Sequence, residues 1–136
     1  VIVDDDADLD EAVAGVVRSA FGYQGQKCSA CSRVITLPRV HDLFVDRLIE
    51  ATAGLEIGPP EDPRFAVGPV IDKDAFDRLM RVIETARQDA RLLHAGKVGD
   101  LSQQGHFIAP HIFGEVEPQH FLAQQEFFGP ILTVLR

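Results

Sequence analysis

Two cysteines, Cys28 and Cys31, stand in the string Phe21-Gly22-Tyr23-Gln24-Gly25-Gln26-Lys27-Cys28-Ser29-Ala30-Cys31-Ser32-Arg33, and the chain has no others. A thiol becomes a useful nucleophile when a cation, a helix N-terminus or preorganised backbone N–H groups favour its thiolate. Gly25 allows the backbone to come close to a substrate, and Lys27 supplies a neighbouring cation. The same C-x-x-C spacing also suits a thiol–disulfide pair, or two small thiols packed in a core. A zinc half-site is the weakest reading, because no second Cys or His pair follows at ligand spacing. The five histidines, His41, His94, His106, His111 and His120, are scattered without a ligand pattern, so each reads as a surface or internally satisfied residue and no metal is expected. On residue types alone, nucleophile, redox pair and core thiols all stay open.

Whatever Cys28 does, the elements around it must hold it. Leu9, Val13, Val16, Val17 and Ala20 recur at spacings of three and four, which predicts a helix over about 9–20, capped by Asp8 or Asp6. Gly22 and Gly25 break it, leaving 22–27 as a loop that delivers Cys28. Val34, Ile35 and Leu37 predict a short strand ending at Pro38. Helices follow over 41–55, with Leu43, Phe44, Leu48, Ile49 and Ala51 inward, and over 72–90, with Phe76, Leu79, Met80, Ile83 and Ala86 on one face. The Pro- and acid-rich stretch 58–69 reads as a surface connection. Short apolar runs then return at Leu92-Leu93, Phe107-Ile108, Ile112-Phe113 and 131–135. Helices alternating with short buried runs predict an α/β architecture.

The 136 residues fit one domain, and 46% hydrophobic with 25% charged residues is the balance of a globular protein, not a disordered one. The net charge of -8, with acids concentrated at Asp4, Asp5, Asp6, Asp8, Asp10 and Glu11, opposes nucleic-acid binding, which needs a basic face. No apolar run reaches the roughly 18 residues of a membrane span, and no signal-type segment opens the chain. The abrupt start on Val1-Ile2-Val3, with no Met, leads us to expect a piece of a longer protein.

A second string lies near the C-terminus, Glu126-Phe127-Phe128-Gly129-Pro130. By itself it reads as a solvated acid beside two core aromatics. Together, however, the Gly25-Gln26-Lys27-Cys28 loop and this later Glu-x-Phe-Gly-Pro string, in this order, resemble the aldehyde dehydrogenase superfamily. Gly68-Pro69-Val70-Ile71-Asp72, Gly105-His106-Phe107-Ile108-Ala109-Pro110 and the acidic start Val1 to Asp10 are similar to family segments as well. Two departures stand out: Cys31 occupies a place where the family usually has a small residue, and Gln125 one where an acid is common. Within the superfamily the cysteine loop is most similar to the branch that oxidises L-glutamate γ-semialdehyde, the 1-pyrroline-5-carboxylate dehydrogenases.

The resemblance implies a fold of layered helices on a mainly parallel sheet. It implies Cys28 as the nucleophile, Ser29 as a hydrogen-bond donor to a substrate carboxylate, and Glu126 and Phe128 as residues that hold the ribose and flank the nicotinamide of NAD or NADP. It further implies a small aldehyde as substrate, no nucleic-acid or membrane partner, a homo-oligomeric parent, and a bacterial cytoplasm or mitochondrial matrix as location. The family's general-base Glu, its oxyanion-hole Asn and its dinucleotide-binding domain would all precede Val1, and a further substrate-anchoring segment would follow Arg136. No Gly-x-Gly-x-x-Gly loop occurs in the sequence. The expectation is therefore a partial catalytic domain over 1–136, inactive in isolation, with a redox module or a non-catalytic structural domain as the competing readings.

Overall fold

The computed structural model describes residues 1–136. Five strands, β1 (Ile2–Val3), β2 (Arg33–Thr36), β3 (Arg91–Ala95), β4 (His111–Gly114) and β5 (Ile131–Leu135), form one sheet in the order β1-β2-β5-β4-β3. Every pairing is parallel except β3 with β4, so the sheet is mainly parallel with one antiparallel edge. Helices α1 (Leu9–Phe21), α2 (Pro38–Ala53), α3 (Lys73–Asp89) and the short α4 (Phe121–Gln124) complete the α/β fold.

Strand periodicity divides the interior into two layers. Along β5, Leu132 and Val134 enter the cluster built with Val13, Val16 and Phe21 of α1 and Phe44 and Leu48 of α2. Ile131 points the other way, into the cluster of Leu79, Ile83 and Ala86 from α3 and Leu122 from α4. Thr133 shares that second face and satisfies its buried hydroxyl by donating to Leu122 O at 3.1 Å. A parallel sheet covered on both faces is thus encoded in alternate residues of one strand.

The helices begin where side-chain chemistry sets them. Asp8, rather than Asp6, caps α1 by accepting from Asp10 N and Glu11 N, and Asp72 caps α3 by accepting from Ala75 N. α2 starts earlier than its apolar spacing suggests, because Pro38 does not merely end β2 but occupies the first helical turn. Its inward face is also rotated: Val45 and Thr52 are buried with Phe44 and Leu48, while Leu43 and Ala51 face outward. The stretch 58–69 is not wholly superficial. Val67 is fully buried in the first cluster, drawn in by its bridge to Ile57. No helix is long and apolar enough to cross a membrane.

Candidate active site

The cysteine loop leaves α1 at Phe21, whose ring is buried, and Gly22 closes the helix by donating to Arg18 O. Three successive residues then take left-handed backbone angles, Tyr23 at φ 51°, Gln24 at φ 58° and Gly25 at φ 67°. For Tyr23 and Gln24 this costs roughly 1–2 kcal/mol each, so neighbouring contacts must hold the turn. Two glutamines do so. With its amide oriented so that both ends are satisfied, the Gln24 side chain accepts from Gly68 N at 2.7 Å and donates to Tyr23 O at 3.1 Å, and Gln26 Oε1 accepts from Ile71 N at 3.1 Å. The loop is pinned in this way to the Gly68–Ile71 segment, which is itself joined to the Gly105–Pro110 segment by Val70 N donating to His106 O at 2.9 Å.

Beyond Gln26 the backbone makes a tight turn closed by Ala30 N donating to Lys27 O at 2.9 Å, with Cys28 and Ser29 as its central residues. Both are exposed. The backbone N–H of Cys28 donates to no acceptor within the protein. The Lys27 ammonium lies 5.3 Å over the Tyr23 ring, a cation–π contact, and forms no hydrogen bond to the Cys28 thiol. Cys31 has the opposite environment. It is buried in the first core cluster, its N–H donates to Ser19 O, and its thiol donates to Arg33 O at 3.1 Å. Burial pushes the Cys31 thiol above its ordinary value. No disulfide joins the two.

This contrast predicts selective labelling. Iodoacetamide at neutral pH should modify Cys28 and leave Cys31 intact until denaturant is added, because alkylation needs an accessible thiolate. Peptide mass spectrometry reads the two sites separately, and equal labelling of both in the native protein would contradict the assigned environments.

The Glu126 string forms the neighbouring loop, between α4 and β5. Phe127 turns into the second core cluster and meets Phe121 edge-on, with ring centroids 5.9 Å apart. Phe128 goes the other way, at φ 54°, and remains 39% exposed. The adjacent aromatics that read as a core pair are therefore split, one inward and one outward. Glu126 is exposed and takes part in no ion pair or side-chain hydrogen bond.

The two loops abut. A Cβ placed on Gly25 would come within 2.7 Å of the carbonyl carbon of Gly129 and 2.9 Å of Ala20 O, so only glycine permits this approach. Arg33, at the start of β2, donates to Ala123 O at 3.1 Å and to Gln125 O at 3.5 Å, and Arg78 of α3 donates to Phe127 O at 2.6 Å. Neither arginine stands out in the sequence, since nothing in the spacing of either announces a backbone partner. A cavity of about 330 Å³ lined by Ala14, Val17, Phe21, Leu55 and Val67 includes neither Cys28 nor Glu126. Among the histidines, His111 is buried and hydrogen-bonded to Ala109 O, and His120 caps α4, but His94 Nε2 is left without a partner. No group of three or more His, Cys, Asp or Glu residues is placed to hold a metal ion.

The sequence profile of the aldehyde dehydrogenase family matches residues 1–136. The chain belongs to that family. Among aldehyde dehydrogenase relatives, a 1-pyrroline-5-carboxylate dehydrogenase of Bacillus subtilis (strain 168) is 44% identical over 136 residues, which is 100% of this chain and 26% of that protein. The crystal structure of proline utilization A from Bdellovibrio bacteriovorus inactivated by N-propargylglycine is 52% identical and superposes with a TM-score of 0.95, over 99% of this chain and 14% of that one. A 1-pyrroline-5-carboxylate dehydrogenase from Thermus with bound NAD is 38% identical, with a TM-score of 0.87 over 99% of this chain and 26% of that protein. The 136 residues thus span about a quarter of the length of the curated dehydrogenases they match. The mainly parallel sheet and its helical layers are those of an aldehyde dehydrogenase domain.

Proposed function

We propose that residues 1–136 are the nucleophile-bearing part of the catalytic domain of a dehydrogenase that oxidises L-glutamate γ-semialdehyde to L-glutamate with NAD. The contact of Gly25 with Gly129 carries this reading, because it sets the segment that leads into the cysteine turn against the loop that bears Glu126 and Phe128. In the proposed reaction the Cys28 thiolate adds to the aldehyde carbon, and the carbonyl oxygen becomes an alkoxide in a thiohemiacetal. Loss of hydride from that carbon leaves a thioester on Cys28, and water then releases the carboxylic acid and restores the thiol. The unused N–H of Cys28 is suited to donate to the alkoxide, a preorganised donor of the kind that stabilises developing charge. Ser29, exposed beside it, is assigned the substrate carboxylate.

The nicotinamide cofactor, when bound, accepts the hydride. The residues present fit such a group: Glu126 is a carboxylate with no internal partner, able to accept from two sugar hydroxyls, and Phe128 holds an exposed aromatic face on the same loop. The bound NAD of the Thermus relative supports NAD in this role.

The test is NADH formation from L-glutamate γ-semialdehyde, followed by absorbance. The full-length protein carrying these residues is expected to turn over. The 136 residues alone are expected to give no signal, since in this reading the water-activating base and the dinucleotide-binding domain lie elsewhere in the protein. NADH production by the purified short protein would refute that division of labour.

A further inference from the structure

The two arginines that bracket Glu126 have no role in the reaction as proposed, yet their geometry is specific. Arg33 donates to the carbonyls of Ala123 and Gln125, and Arg78 donates to the carbonyl of Phe127. The backbone oxygens immediately before and after Glu126 are therefore both held by guanidinium groups. Neither arginine has a carboxylate partner, although exposed acids are plentiful. Their charge is committed to a loop that makes no side-chain hydrogen bond of its own at Glu126. The anchoring elements differ as well. Arg33 opens β2, the strand entered from the cysteine turn, whereas Arg78 belongs to α3, whose Leu79 packs where a Gly129 side chain would lie.

We infer that Arg33 and Arg78 are positioning residues that fix the Glu126 carboxylate relative to Cys28, and so tune how tightly the nicotinamide half of the cofactor is held; this rests on the function proposed above. Hydrogen bonds from an ionised donor are stronger than neutral ones; the bonds of Arg78 to Phe127 O at 2.6 Å and of Arg33 to Ala123 O at 3.1 Å are the close ones, and the longer reach of Arg33 to Gln125 O at 3.5 Å adds a weaker contact. Without them the loop would exchange its carbonyl partners for water, and Glu126 would reach the ribose hydroxyls only in a fraction of its conformations. Neither guanidinium forms a hydrogen bond to the Cys28 thiol, and neither is assigned to the aldehyde, so the effect should fall on the cofactor.

The experiment uses the full-length protein with Arg33→Met, Arg78→Met and Arg33→Lys. Each Met variant is expected to raise KM for NAD roughly tenfold, the order of one lost charge-assisted bond, with a smaller change in KM for the aldehyde. Alkylation of Cys28 by iodoacetamide in the absence of NAD should keep its wild-type rate. Arg33→Lys should recover part of the NAD affinity, because an ammonium can still serve one of the two carbonyls. The inference is overturned if both Met variants keep KM for NAD within about twofold of wild type, or if both KM values and the alkylation rate deteriorate together with the melting temperature, the mark of general unfolding. Cys28→Ser serves as the control for the reaction itself. Turnover retained there removes the functional reading, whereas loss there with unchanged Met variants removes only the positioning role.

Discussion

Cys28→Ser in the full-length protein is expected to lower kcat for aldehyde oxidation by roughly 10⁴-fold or more, the scale on which removing a nucleophile acts, while Cys31→Ala leaves kcat within about threefold. The serine hydroxyl keeps the size and the turn geometry of residue 28 but is far less ionised and less nucleophilic at neutral pH, so the substitution isolates chemistry from folding. At position 31 the opposite holds. The Cys31 thiol is buried in the cluster with Val16, Phe21 and Val34, donates to Arg33 O and is held above its ordinary pKa by burial, so it is a packing group. Removing it leaves a small cavity and one weak hydrogen bond unmade, a loss of about 1 kcal/mol in stability. A thiol–disulfide module would need both sulfurs and would lose its activity equally in either variant. Steady-state NADH formation and a thermal melt on the two proteins separate the readings, and a dead but well-folded Cys31→Ala would overturn the dehydrogenase assignment of the two thiols.

Much of this arrangement is legible in the sequence, and the parts that are not have physical reasons. The apolar spacing of α3 places Leu79, Ile83 and Ala86 inward, as found, because one dominant stripe leaves no competing face. In α2 the apolar residues spread more widely around the helix. Leu43 and Ala51 lose to Val45 and Thr52, a choice settled by the neighbouring α1 and the sheet and not by local pattern. Val67 is hidden in a Pro- and acid-rich stretch whose composition speaks for the surface, and only its bridge to Ile57 draws it under. For the site, the two strings are readable as strings, but their adjacency is not. It depends on three left-handed residues in a row, on glutamine side chains reaching the Gly68–Ile71 segment, and on arginines bonded to backbone oxygens. Carbonyl partners carry no side-chain signature, so contacts of this kind have no sequence signal to find.

Gly25→Ala is expected to cost about 2–5 kcal/mol of stability, the sum of a left-handed backbone penalty and an overpacking term. Neither part has an easy escape. Gly25 sits at φ 67°, where a Cβ is strained whatever the surroundings, and the atoms that the new methyl meets are the carbonyl carbon and oxygen of Gly129 and the carbonyl oxygen of Ala20. Flexible side-chain atoms could swing aside, but here the backbone itself must move. Relief therefore requires the cysteine turn and the Glu126 loop to separate, and a shift of about 1 Å between reacting groups lowers rate by roughly a hundredfold. Gly22 provides a matched control on the same loop. It has φ −57° and nothing within 4 Å of its position for a Cβ, so Gly22→Ala should leave stability unchanged or raise it by about 0.5 kcal/mol. Melting temperature and kcat measured together on both variants check the argument. If Gly25→Ala melts and turns over like Gly22→Ala, the two loops do not touch in the working protein, and the joint on which the proposed function rests is lost.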